Sequence, residues 1–216
     1  MHSSALEAEN LETWGIRIDA QDPCASGQIA SYLASQILSH VGWERIVVVC
    51  IGTDRSTGDA LGPLVGSLLT GQIACSREGI GRTDIDVRGT LDEPVHAMNL
   101  RDACSDLSAT PRMHLVVGVD ACLGQADQVG TISLGVGPVR PGAGVNKTLP
   151  PVGTLHVTGT VNVGGFMEYL VLQNTRLSLV MRMARVIAQG IGAAVTAVKN
   201  ARGETMVCLP AHQDQC

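Results

Sequence analysis

The chain has 216 residues, of which 16% are charged, where about 25% is usual, and 45% are hydrophobic, with only one Phe, two Trp and two Tyr among them. A chain of this length without a composition break reads as one domain able to bury roughly 70% of its unfolded surface, which excludes intrinsic disorder for most of it. A net charge of −5, no basic cluster longer than two residues and few aromatics exclude duplex nucleic acid and single-strand stacking platforms as partners.

Residues 1–23 are polar and irregular and end in Asp22-Pro23, so they are expected to form a flexible arm. Their acidic residues stand where a signal peptide needs a basic region before an apolar one, so a cytoplasmic protein is expected. The seven cysteines (Cys24, Cys50, Cys75, Cys104, Cys122, Cys208, Cys216) lack C-x-x-C spacing and read as reduced thiols.

From Ser26 to His40, Ile29, Leu33 and Ile37 recur every four residues and predict a helix. Arg45 to Ile51 is a continuous β-branched run closed by Gly52, the pattern of a strand buried on both faces. A helix is expected from about Asp59-Ala60-Leu61-Gly62-Pro63 to Leu69, a short strand over Asp84 to Arg88, and a helix from Pro94 to about Leu107. Met113 to Val119 is a second continuous apolar run, ending in Asp120.

Two further strands are expected over Thr131 to Val136 and Thr154 to Thr160. Between them, residues 135–153 hold five glycines and four prolines, which suits a functional loop with close backbone approach to a ligand. Phe166 to Ala188 is apolar, yet Glu168, Gln173, Asn174, Arg176, Arg182 and Arg185 interrupt it, so it reads as a long soluble helix and no membrane partner is expected. Its stripe of Phe166, Leu170, Leu177, Val180, Ala184 and Ile187 is assigned to the core. Alternating strands and helices predict an α/β fold, with a mainly parallel twisted sheet and helices on both faces. Residues 24–200 form the single domain and 201–216 a tail.

In such a sheet, ligands bind beyond the carboxyl ends of the strands. Asp59 follows the first buried strand and Asp120 ends the third, so the two meet if those strands are neighbours. Singly, the first is equally a helix N-cap and the second a turn residue. As a pair they cannot both ionise cheaply, and the helix dipole favours the anion at Asp59 and leaves the proton to Asp120. Such a pair can deprotonate a water, protonate a leaving amine or hold a divalent metal.

Other candidates are weaker. Gly52-Thr53-Asp54-Arg55-Ser56-Thr57-Gly58 resembles a phosphate loop, but Asp59 stands where Lys-Ser/Thr is needed, and Asp54 repels phosphate. Ser133 and Ser178 lack a nucleophile elbow. His96, His114 and His156 are conceivable metal ligands beside the two aspartates, and Cys122 is a small thiol two residues beyond Asp120.

Three blocks carry a family resemblance: Cys50 to Pro63 (CIGTDRSTGDALGP), Gly89 to Leu100 (GTLDEPVHAMNL) and Asn162 to Tyr169 (NVGGFMEY). Together they resemble the YyaC-type sporulation proteins, relatives of the spore germination protease, over roughly residues 25–200. Asp59 to Pro63 is similar to the D-A-L-G-P turn of that protease, Val119-Asp120-Ala121 to its I-D-A strand end, and Pro141 to Asn146 to its P-G-S-G-V-G-N loop.

The resemblance implies a three-layer phosphorylase/hydrolase-like fold, shared with hydrogenase maturation endopeptidases, and a peptidase whose catalytic pair is Asp59 and Asp120. Asp54, Gly142, Gly144, Asn146 and Lys147 are then the substrate-binding candidates. The implied partner is a protein or peptide substrate such as the small acid-soluble spore proteins. No cofactor or resident metal is assigned, and the oligomeric state is left open. Two alternatives stand beside this reading. One is a non-catalytic sporulation factor binding a peptide or small ligand in the same cleft. The other is a nickel-dependent endopeptidase like the maturation proteases, with His156 as third ligand.

Overall fold

Two continuous apolar runs organise the computed structural model, which describes residues 15–75, 85–109, 114–142 and 149–203. The first is β2 (Arg45–Cys50) and the second β4 (His114–Gly124), paired in parallel from Arg45 opposite His114 to Cys50 opposite Val119. β3 (Ile85–Arg88) flanks β2 in parallel and β6 (Leu155–Val163) flanks β4 in parallel. β5 (Thr131–Val136) then runs antiparallel to β6, and β1 (Ile16–Asp19) antiparallel to β5, giving the order β1-β5-β6-β4-β2-β3. The α/β expectation holds: the sheet is parallel in its centre and antiparallel at one side.

The strand alternation divides the side chains between two layers. Ile46, Val48 and Cys50 of β2, Leu115, Val117 and Val119 of β4, and Leu155, Val157 and Val161 of β6 face the main core. Covering that face are α1 (Ala25–Ser39), α2 (Leu61–Cys75) and α6 (Leu177–Ala201). α6 is long and apolar enough to cross a bilayer by length and composition, but its Val180, Met183, Ala184 and Ile187 are fully buried in this core. The opposite face has a smaller cluster in which Val47, Val49 and Val116 meet Leu100 of α3 (Leu100–Ala103), Leu107 of α4 (Ser105–Ala109) and Cys104 between them, together with Val139 and Val152. Helices lie on both faces, unequally.

Four expectations change. Residues 16–19, placed in an irregular arm, form the edge strand β1, with Ile18 buried. The helix expected from Pro94 begins only at Leu100, because Val95 bridges Ile51 and its carbonyl accepts the Gly52 N–H at 2.8 Å. The strand expected to end at Asp120 continues to Gly124. The single helix expected over 166–188 is two, α5 (Glu168–Gln173) and α6. Its stripe is core only in the second half, since Phe166 is 84% exposed and Leu177 59% exposed.

The helix meets the chain leaving β2 backbone to backbone at Gly62 of α2, where an added Cβ would run into the Ile51 carbonyl. Nothing lies within 4 Å of a Cβ at Gly71 in the same helix. Urea unfolding is therefore expected to show Gly62→Ala losing about 2 kcal/mol or more through overpacking. Gly71→Ala is expected to gain about 0.5–1 kcal/mol from helix propensity. Equal effects at the two positions would refute this account of the close approach.

Candidate functional site

The chain leaving β2 is fixed before it reaches Asp59. Ile51 donates its N–H to the Val119 carbonyl at 2.7 Å, and Thr53 N–H donates to the Asp59 carbonyl at 3.1 Å, closing the 53–59 turn. Gly52 sits at φ +148°, where a side chain is strained and a Cβ would also meet the Asp59 carbonyl. Gly58 N–H donates to Leu172 O at 2.9 Å, and a Cβ there would come within 2.7 Å of Leu172 Cδ2. The turn bearing Asp59 is thus clamped between β2 and α5.

Asp120 lies within β4, opposite Thr158 of β6 in the parallel register. Strand alternation puts its side chain on the thinly covered face of the sheet. Two residues earlier is Gly118, where a Cβ would stand 2.6 Å from Val139 Cγ1 and 2.8 Å from Val152 O. The Val139–Val152 antiparallel bridge therefore lies directly on the strand. It fixes the neck of the glycine- and proline-rich loop beside the carboxyl.

Asp59 and Asp120 line one cavity of about 480 Å³. Cys122, His156 and Thr158 line it from the sheet, Pro138 to Arg140 and Gly142 from the loop neck, and Glu168 and Leu172 from α5. Burial pushes the Asp120 carboxyl up to about 8; the Ala121 N–H, donating to Oδ1 at 2.9 Å, opposes the rise, and the charge of Asp59 adds to it. Burial also raises Asp59. The nearby Ser56 hydroxyl, short of full hydrogen-bond geometry and otherwise unpartnered, offsets part of that rise, and no amide of the first turn of α2 contributes.

His156 donates Nδ1–H to the Gly137 carbonyl at 3.1 Å in its neutral form, which leaves Nε2 as an acceptor. Its ring lies on Gly135, where a Cβ would be 2.6 Å from Cε1. The Cys122 thiol contacts Thr160 Oγ1 at 3.5 Å and is raised by burial, so it is a protonated thiol and a poor nucleophile.

Of the residues singled out from sequence, Asp59, Asp120, Gly142, Cys122 and His156 come together here. Asp54 is exposed and is not among the residues that line this cavity. Gly144, Asn146 and Lys147 lie outside the described residues. His96 lines a separate hollow beside Arg88, and His114 lies at the opening of β4, away from Asp120. Among the described residues, no three His, Cys, Asp or Glu groups are placed to hold a metal ion. Sequence reasoning missed Arg140 and Glu168. The first is one of two cations in the 135–153 loop, and the second lies inside the block Asn162 to Tyr169.

Fold and cavity define an α/β protein with two desolvated aspartates on the open face of a mainly parallel sheet. The chain belongs to the family described as a protein of unknown function, DUF1256, whose model matches residues 17–190. It is 52% identical over 170 residues to the uncharacterized protein YyaC of Bacillus subtilis strain 168, across 79% of this chain and 78% of that protein. A solved NiFe hydrogenase maturation protease, HycI from Thermococcus kodakarensis KOD1, overlaps 74% of this chain and 96% of its own, with 18% identity and a TM-score of 0.48.

Because the folded Asp120 carboxyl lies near 8 and its unfolded counterpart near 3.8, the folded state holds an extra proton between those values, and folding loses stability as pH rises through that window. The stability of Asp120→Asn relative to the native chain is accordingly expected to widen from pH 4 to pH 8 and stay level above it. Denaturant titrations at pH 4, 6, 8 and 9 check this; a constant difference would mean that Asp120 is ionised throughout.

Proposed function

We propose that the chain is a peptidase in which Asp59 and Asp120 activate water for hydrolysis of a peptide bond. The observation that carries this reading is that both carboxyl groups line one cavity and are desolvated to different extents by it. Two acids with separated proton affinities supply a base and an acid at the same pH. The sporulation setting and the substrate class, small acid-soluble spore proteins, rest on the resemblance of the Cys50–Pro63, Gly89–Leu100 and Asn162–Tyr169 blocks to the spore family.

In this mechanism the Asp59 carboxylate takes a proton from water as the water oxygen bonds to the peptide carbonyl carbon. Protonated Asp120 gives its proton to the carbonyl oxygen, so the tetrahedral intermediate forms without a free oxyanion. Collapse returns a hydroxyl proton to Asp120, and Asp59 passes its proton to the departing nitrogen as the C–N bond breaks. Both residues end as they began, and the products are a carboxylic acid and an amine.

Asp59→Asn and Asp120→Asn are each expected to slow cleavage of a purified small acid-soluble spore protein by about a hundredfold to ten-thousandfold. The native rate should fall as pH rises past about 8, where Asp120 loses its proton. Gel and mass-spectrometric time courses read both effects. Variants as fast as the native chain would defeat the reading. Tight binding without cleavage by the native chain would instead favour a non-catalytic factor using the same cleft.

A further inference from the structure

α5 forms one wall of the cavity, and Glu168 and Leu172, one turn apart, both line it. The Glu168 side chain is held in place: Oε1 accepts the Gly165 N–H at 3.1 Å and lies 3.5 Å from where a Cβ on Gly164 would stand, a point that is also 3.3 Å from Leu123 Cβ. The backbone that aims it is unusual, since Met167, which precedes the helix, is the one non-glycine at positive φ (51°) among the described residues. α5 is also fixed against the site, through Gly58 N–H to Leu172 O at 2.9 Å and Asn162 Nδ2 to Val171 O at 3.2 Å.

Glu168 makes no ion pair among the described residues, and the one Lys or Arg among the described residues that line the cavity is Arg140, on the loop neck. A half-buried carboxylate fixed by one amide and flanked by Leu123 and Leu172 matches a long aliphatic side chain ending in a cation. The methylenes would lie along the leucines and the charged head would reach the carboxylate. Arg140, the cation on the loop neck, disfavours a second cation on that side of the cavity.

We propose that Glu168 is a specificity-determining residue that selects a lysine or arginine side chain in the peptide occupying the Asp59–Asp120 cavity. The inference rests on the peptidase reading for the identity of the ligand as a peptide, and it adds the side-chain class that the cavity takes. Leu172 and Leu123 hold the stem, Glu168 holds the cation, and Asp59 and Asp120 face the neighbouring backbone.

The test uses the full chain and three fluorescein-labelled heptapeptide pools, random except for a central Lys, Gln or Glu, with binding read by fluorescence anisotropy and cleavage by mass spectrometry. The Lys pool is expected to bind at least about fivefold tighter than the Glu pool, and salt should shrink the difference. Glu168→Gln keeps an acceptor for the Gly165 amide, so loss of the preference in that variant reads the charge and not the loop. Glu168→Lys should reverse the order of the pools. Equal binding of the pools by the native chain, or a Lys preference that survives Glu168→Gln, would overturn the proposal. A Glu168-dependent preference without cleavage would leave it standing while the peptidase reading fails.

Discussion

The hydrogen bond from Ile51 N–H to the Val119 carbonyl, at 2.7 Å, is the point from which the site is built. It carries the β2–β4 pairing one residue past the named end of β2, so the backbone leading to the Asp59 turn is held beside the residue that precedes Asp120. Gly62 then lets α2 begin against Ile51 itself, and Gly66 lets the same helix pass over the backbone of Gly89. Because main chain meets main chain at each of these contacts, the backbone positions that carry the two acids are fixed by groups that have no rotamers. The core thus anchors the backbone under both acids, and local contacts such as Ala121 N–H to Asp120 Oδ1 act on the side chains.

The inequality of the two sheet faces explains why the cavity forms where it does. One face is covered by three helices, and the inward positions of β2, β4 and β6 on it are apolar or small. On the other face, α3 and α4 cover the β2 end, while His156, Thr158 and Cys122 continue toward β5 without a helix over them. Polar residues there need no partner inside the core, because the hollow between the Val139–Val152 bridge and α5 is open to water. The fold thus concentrates its desolvated acids at the boundary between a covered and an uncovered part of one sheet.

The central strands and the two acids were legible in the sequence for a direct reason: strands buried on both faces write continuous apolar runs, and in a chain with 16% charge an Asp ending one run and another opening the helix after the other run are conspicuous. The rest required tertiary information. The break between α5 and α6 contains no Gly or Pro. It is made by side chains that compete for helix carbonyls, Asn174 Nδ2 with Leu170 O at 2.8 Å, Thr175 Oγ1 with Val171 O at 2.9 Å and, from β6, Asn162 Nδ2 with Val171 O. β1 is a four-residue strand whose alternation is too short to stand out from the polar segment around it. Arg140 and Glu168 carry only weak local signals, since what brings both to one cavity is the docking of α5 on the Asp59 turn and of the loop neck on Gly118.

Charge repulsion between the two acids, the natural expectation for a carboxylate pair, is not the main source of their altered proton affinities. For Asp120, burial contributes most, and the field of Asp59 is the smallest of the three influences. Asp59 is raised by burial alone, against the Ser56 hydroxyl. Each group is therefore tuned by its own surroundings: Asp120 by the strand, the loop neck and β6, and Asp59 by its turn and α5. Two acids tuned separately can hold different protonation states without one having to titrate the other, which is the condition for an acid and a base to coexist over a broad pH range. The α5 wall and the Val139–Val152 neck border the cavity and thereby set how far each acid is desolvated.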